Sequence, residues 1–174
     1  MASLNSKFVF RFITAFVFSV LCGTRMLSAL EPGSSMPSIT AQTSTGGAFD
    51  PATLVGKVIY VDFWASWCEP CKRSMPWMNA LQKKHKDSGL AVVAVNLDEK
   101  REDADKLLAG LGPVALTVLF DPSGKSAEAF QVNAMPSSYL INRQGKVVIV
   151  ESGFSSNSVK LIEDTIVTLL RESK

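Results

Sequence analysis

The chain has 174 residues, 47% of them hydrophobic and 20% charged, with a formal net charge of +2. That length suits one domain plus an appendage, and the composition is that of a globular protein with a sizeable core rather than a disordered or fibrous chain. Lys7, Arg11 and Arg25 all lie before residue 30, in a stretch without acids, so the remainder is near neutral and carries no basic stripe for nucleic acid.

Lys7 and Arg11 precede an apolar run from Phe12 to Cys22, which Gly23 and Arg25 interrupt. Leu27-Ser28-Ala29 then offers a cleavage site ending in a small residue. This is the pattern of a secretory signal peptide over residues 1–29, with an uncleaved N-terminal membrane anchor as the alternative. The run falls short of the roughly 18–20 apolar residues that a spanning helix needs. A lipid-bearing role for Cys22 is disfavoured by Leu21, since such sites need a small residue there. The mature protein is therefore expected outside the cytoplasm, in a bacterial periplasm, soluble or held only by its N-terminus.

Residues 30–37 read as a Pro/Gly/Ser linker and 38–174 as one domain. Ser38–Gln42 is a candidate strand before a Gly46-Gly47 turn. Val58–Phe63 is β-branched and aromatic and reads as a central strand buried on both faces, with Asp62 the exception. Cys71, Met75, Met78 and Leu81 share one helical face, with Pro76 inside that helix and Gly89 ending it. Leu90–Val95 is a second buried strand, and Asp103–Leu111 repeats helical spacing. Thr117–Phe120 is a third strand, closed by a turn at Asp121–Gly124. A short helix through Ala127 and Phe130 follows, then a hairpin of Ser138–Ile141 and Lys146–Val150. Val159, Ile162, Ile166 and Leu169 mark a last amphipathic helix. This order predicts an α/β sandwich with a mixed central sheet and helices on both faces.

The chemistry concentrates in Trp67-Cys68-Glu69-Pro70-Cys71-Lys72. Two thiols three positions apart can close a small disulfide ring. The first opens a helix, where unpaired N–H groups and partial positive charge favour a thiolate. Cys68 is expected to be exposed and to attack, and Cys71, one turn further in, to be buried and to resolve the mixed disulfide. A structural disulfide or half of a zinc site is the competing reading. Zinc needs about four ligands, and outside the leader the chain offers two thiols and His85. No metal site and no cofactor beyond the redox-active pair is expected.

Asp62 lies in an apolar strand six residues before Cys68. If buried, its carboxyl is raised toward the range useful for accepting the Cys71 proton; an edge-exposed aspartate is the alternative. Met135-Pro136 precedes a strand. A cis bond there would offer the Met135 backbone as an edge for an extended substrate, and a trans turn proline is the alternative. Trp67 is a candidate for the substrate surface, with a packing role as the alternative. Pro70 suits the first helical turn, and Glu69 places negative charge beside the Cys68 thiolate. Such a pair is expected to be a reductant, nearer about −270 mV than about −120 mV.

Val61-Asp62-Phe63-Trp64-Ala65-Ser66-Trp67-Cys68-Glu69-Pro70-Cys71-Lys72, with Pro76 and the later Met135-Pro136-Ser137-Ser138-Tyr139-Leu140-Ile141, resembles the thioredoxin superfamily and its TlpA/ResA-like extracytoplasmic branch. The resemblance covers about residues 33–172. It implies a thioredoxin-like fold with an N-terminal strand extension and a central βα-type insertion. It also implies a cis Pro136 peptide and a site formed by Cys68, Cys71, Asp62 and Pro136. The implied partners are substrate proteins with disulfides or thiols, and a membrane electron donor of the DsbD/CcdA type. Cytochrome c maturation and metallation of copper proteins are roles in that branch. Two positions depart from the pattern. Ser74 stands where cytochrome-maturation members often carry an acid, and Ala94 where many thioredoxins place a lysine beside the buried aspartate. The expected function is protein-disulfide reduction. The rival is Cu(I) handling by the same two thiols.

Overall fold

The computed structural model describes residues 30–172. The expected signal peptide or anchor, with Cys22, lies outside the described residues. Among the described residues no helix is long and apolar enough to cross a membrane. Strands β1 (Gln42–Thr43), β2 (Val58–Trp64), β3 (Leu90–Asn96), β4 (Thr117–Phe120), β5 (Ser137–Ile141) and β6 (Val147–Ser152) form one sheet in the order β1-β4-β3-β2-β5-β6. The β2–β3 and β3–β4 pairs are parallel, and the other pairs are antiparallel. The helices are α1 (Glu69–His85), α2 (Arg101–Ala109), α3 (Lys125–Ala129) and α4 (Ser156–Arg171).

Strand period explains the two-sided core. Alternate residues of β2 point to opposite faces. Val58, Tyr60 and Trp64 join one apolar cluster, and Ile59, Val61 and Phe63 join the other. Helix α1 covers the first face with Cys71, Met75, Met78 and Leu81, joined there by Ala104 of α2 and by Ile162 and Ile166 of α4. Ala127 and Ala129 of α3, with Phe130 just beyond, pack on the second face. All seven residues of β2 are buried, as are all seven of β3. The arrangement is thioredoxin-like, with α2, β4 and α3 between β3 and β5.

Three segments differ from expectation. The strand expected at Ser38–Gln42 contracts to Gln42–Thr43, because Thr40 is tied to α3 by a side chain instead of a ladder. Its N–H donates to Ser126 Oγ at 2.9 Å, and that hydroxyl donates to Thr40 O at 3.0 Å. The segment expected as a linker docks on the β5–β6 hairpin, with Gly33 N–H donating to Val147 O and Val147 N–H to Ser34 O. Helix α1 stops at His85. A single 3₁₀ turn over Lys86–Ser88 then leads to Gly89, whose φ of 96° favours glycine.

Side-chain amides of α1 complete the sheet where β4 is too short. Along β3, strand β4 reaches only Val93–Asn96, leaving the start of β3 without a neighbour on that side. Buried Gln82 supplies one: Nε2 donates to Leu90 O at 3.1 Å and Oε1 accepts from Val92 N–H at 2.6 Å. Asn79 holds the approach to β4 in the same way, through Pro113 O and Ala115 N–H. Replacing Gln82 by Met preserves volume but strands a buried donor and a buried acceptor. Gln82→Met is expected to lower unfolding stability by about 2 kcal/mol, read as a reduced denaturant midpoint at unchanged slope.

Candidate active site

Beyond β2 the chain turns through residues 65–67 and enters α1 with Cys68 as its N-cap. Cys68 N–H donates to Ala65 O at 3.1 Å, and its backbone oxygen accepts from Lys72 N–H at 3.1 Å. Cys68 and Cys71 are joined as a disulfide, and Cys71 N–H donates to Cys68 Sγ at 3.3 Å. The Cys68 sulfur therefore occupies the position a capping oxygen takes, where a first-turn N–H would stabilise a thiolate. Cys68 is 5% exposed and Cys71 fully buried. The expected order of accessibility is present, but the expected exposure of Cys68 is not. With the disulfide closed, Cys68 packs into the cluster that holds Trp64, Cys71 and Met75.

Glu69 and Pro70 form the first turn of α1. The Glu69 carboxylate accepts from Lys72 Nζ at 2.7 Å, and that bond, with the lysine's charge, lowers the Glu69 carboxyl below its usual range. Both side chains face solvent. Lys72 therefore offsets much of the field that Glu69 alone would place at Cys68.

The loop is held by a group the sequence reading passed over. Asp98, buried just beyond β3, accepts from Ser66 N–H at 2.9 Å and from Ser66 Oγ at 3.0 Å. Its Oδ2 also accepts from Asn96 Nδ2 at 2.7 Å, while Asp98 N–H donates to Asn96 Oδ1 at 3.1 Å. This carboxylate thus fixes the residues before Cys68 to the end of the neighbouring strand. The available signal was position: Asn96 and Asp98 follow a buried parallel strand, at the end where α/β sheets gather their functional groups.

Asp62 is buried in the middle of β2, 2% exposed, which removes the edge-exposed alternative. Its Oδ1 has no hydrogen-bond partner. Burial pushes its carboxyl well above the ordinary value of 3.8. Its register partners are Ala94 on β3 and Ser138 on β5, so no cation stands directly beside it across either strand.

The Met135-Pro136 peptide is cis. Pro136 is buried and its carbonyl accepts from Gly153 N–H at 2.8 Å. Met135 and Trp67 line one groove of about 300 Å³ with Leu97, Val132 and Ala134. Trp67 is 68% exposed, an unusual state for so large an apolar ring. The fold thus brings two of the residues expected to meet substrate to one surface, beside the disulfide.

Comparison with known proteins agrees with this geometry. The Redoxin family profile matches residues 31–166. Thiol-disulfide oxidoreductase ResA of Bacillus subtilis (strain 168) is 32% identical over 131 residues, which span 75% of this chain and 73% of that one. Among solved structures, a candidate thiol:disulfide interchange protein DsbE from Chlorobium tepidum is 43% identical, with a TM-score of 0.76 over 82% of this chain and 99% of that one. A candidate protein disulfide isomerase from Bacteroides thetaiotaomicron is 26% identical, with a TM-score of 0.74 over 82% of this chain and 92% of that one. The chain belongs to the Redoxin family of the thioredoxin superfamily and is ResA-like.

Proposed function

We propose that this protein is an extracytoplasmic thiol–disulfide oxidoreductase that reduces disulfides of substrate proteins. The observation that carries this reading is the Cys68 sulfur at the N-cap of α1, bonded covalently to a more buried Cys71. In the dithiol form the Cys68 thiolate attacks a substrate disulfide, forming a mixed disulfide and releasing one substrate thiolate. Cys71 then gives its proton to the Asp62 carboxylate and attacks Cys68 Sγ. The second substrate thiolate leaves, and two electrons have passed from the Cys68/Cys71 dithiol to the substrate. A membrane electron donor restores the dithiol. Trp67 and Met135 receive the substrate chain in the groove they share. Glu69, Lys72 and Pro70 set the potential through the first turn of α1.

Cys68→Ser is expected to abolish reduction of insulin, and Cys71→Ser to trap mixed disulfides that appear on non-reducing gels. A Cys68→Ser protein that still reduced insulin would remove the assigned nucleophile.

Asp62 must be ionised to take the proton, and burial holds its carboxyl high, so resolution is expected to accelerate as pH rises through that raised value. Asp62→Asn should slow resolution by about 100-fold and flatten the pH profile in stopped-flow measurements.

The same shift has a stability consequence. The folded state binds the Asp62 proton more tightly than the unfolded chain. Its contribution to stability is therefore greatest below the ordinary value of 3.8 and is lost as pH climbs toward the raised folded value. Asp62→Asn is expected to melt higher than wild type at neutral pH, with the gain shrinking as pH falls toward the ordinary carboxylate range. A pH-independent difference in melting temperature would contradict this.

A further inference from the structure

A buried acid that accepts a proton in every turnover must also release it. The register across the sheet shows on which side that can happen. Residues directly opposite one another share a face, with Cβ atoms about 5 Å apart. The row through Asp62 reads Val118, Ala94, Asp62, Ser138, Glu151, from β4 across to β6. Toward β3 and β4 the row is apolar, and Ala94 is fully buried. Above it, α1 lays fully buried Met75 and Met78 on the same face. Toward β5 and β6 it is polar at both positions. Ser138 is buried, and Glu151, on the edge strand, is half-buried and reaches solvent.

Tyr60 adds a second hydroxyl on this side. It stands two residues before Asp62 on the same face, and burial first, then the charges of Asp62 and Glu151, hold its hydroxyl well above the ordinary value of 10.0. Trp77 covers its ring edge-on at 5.6 Å. Two hydroxyls therefore stand among a sealed carboxylate and one with access to water. A hydroxyl both donates and accepts, so it can take a proton from one neighbour while giving its own to the next.

We propose that Ser138 and Glu151, next to Asp62 along the same cross-strand row, are the proton exit of Asp62. This rests on Asp62 being the acceptor for Cys71. Protonated Asp62 gives its proton to Ser138 Oγ as the Ser138 hydroxyl proton passes to the Glu151 carboxylate. Glu151 releases a proton to water, the Ser138 hydroxyl turns back, and Asp62 is again a carboxylate. No electron moves, and one proton leaves for each one taken from Cys71. The route runs backwards when the disulfide is next reduced and Cys71 needs a proton. The other titratable groups around the row are Cys71 on α1, Tyr60 on β2 and Glu163 on α4. Glu163 is engaged by Trp77 Nε1 at 2.7 Å. From β3 and β4 the row receives only Ala94 and Val118.

The test is single-turnover resolution of a mixed disulfide by stopped flow, at several pH values and at low and high concentrations of a small buffer acid such as acetic acid. Glu151→Gln and Ser138→Ala are each expected to slow resolution at least about 10-fold at low buffer. Raising the buffer concentration should recover the Glu151→Gln rate, and Ser138→Thr should retain the wild-type rate because its hydroxyl is kept. A purely structural role would give no buffer rescue. Glu151→Gln lies on a half-exposed edge position, so it reports even if Ser138→Ala fails to fold. Wild-type resolution in Glu151→Gln at every buffer concentration, with Asp62→Asn slow, would overturn the exit and leave the acceptor standing. Wild-type resolution in Asp62→Asn would overturn the acceptor, and the exit with it.

Discussion

The register of β2 against its two neighbours is the constraint on which the site depends. Trp64 pairs with Asn96 on β3, so Asp98 falls beside Ser66 in the loop that leads to Cys68. Phe63 pairs with Ser137 on β5, so the cis Met135-Pro136 peptide arrives at the same end of the sheet as the cysteine loop. Asp62 lies on the face that α1 covers because Tyr60 and Trp64 do. A slip of one residue would send Asp62 to the opposite face, toward Phe130 and Tyr139, and pull every contact out of line. Seven consecutive buried residues on β2 make such a slip costly, since both faces would have to be repacked.

Within that frame, one carboxylate is fully used and the other is left wanting. Asp98 receives hydrogen bonds from Ser66 N–H, Ser66 Oγ and Asn96 Nδ2, the inventory that makes a buried negative charge tolerable. Asp62, equally buried, has an oxygen with no partner. The first is spent on holding the cysteine loop. The second gains little by being charged and is suited to change its protonation. Two aspartates, one within β2 and one just beyond β3, thus sit in different surroundings: Asp98 is tied into the cysteine loop by hydrogen bonds, and Asp62 is raised by burial with one oxygen unpartnered.

Much of this was legible in the residues. β4 is where its pattern put it, β2, β3, β5 and β6 lie within a residue or two, and the apolar face of α1 is buried as the spacing of Cys71, Met75, Met78 and Leu81 requires. Local pattern suffices for elements whose burial is dictated by period. It failed at Ser38–Ala41, where a hydroxyl 86 residues away from Thr40 replaces a strand partner, and at the docked segment before residue 38, whose partners lie on the last hairpin. The Asp98 clamp and the ion pair of Lys72 with Glu69 were illegible for different reasons. The clamp joins two strand ends 32 residues apart. The ion pair is local, but the direction of a flexible lysine is not encoded in spacing. The low exposure of Cys68 depends on how the closed disulfide packs, which no motif records.

The absence of a cation beside Asp62 then acquires a physical sense. A lysine at the Ala94 position would ease ionisation of the aspartate and would hold its charge by a direct pair. Alanine there closes that side with a methyl group, so the polar environment of Asp62 has to come from β5 and β6. Ser138 and Tyr60 place hydroxyls on that side and Glu151 a carboxyl at the sheet edge, while burial is what holds the Asp62 carboxyl high. Burial thus favours the neutral form of Asp62 over its carboxylate. On the proposed route a proton leaves Asp62 toward the edge of the sheet, so release at β6 and thiol activation at Cys71 would be coupled through one strand row.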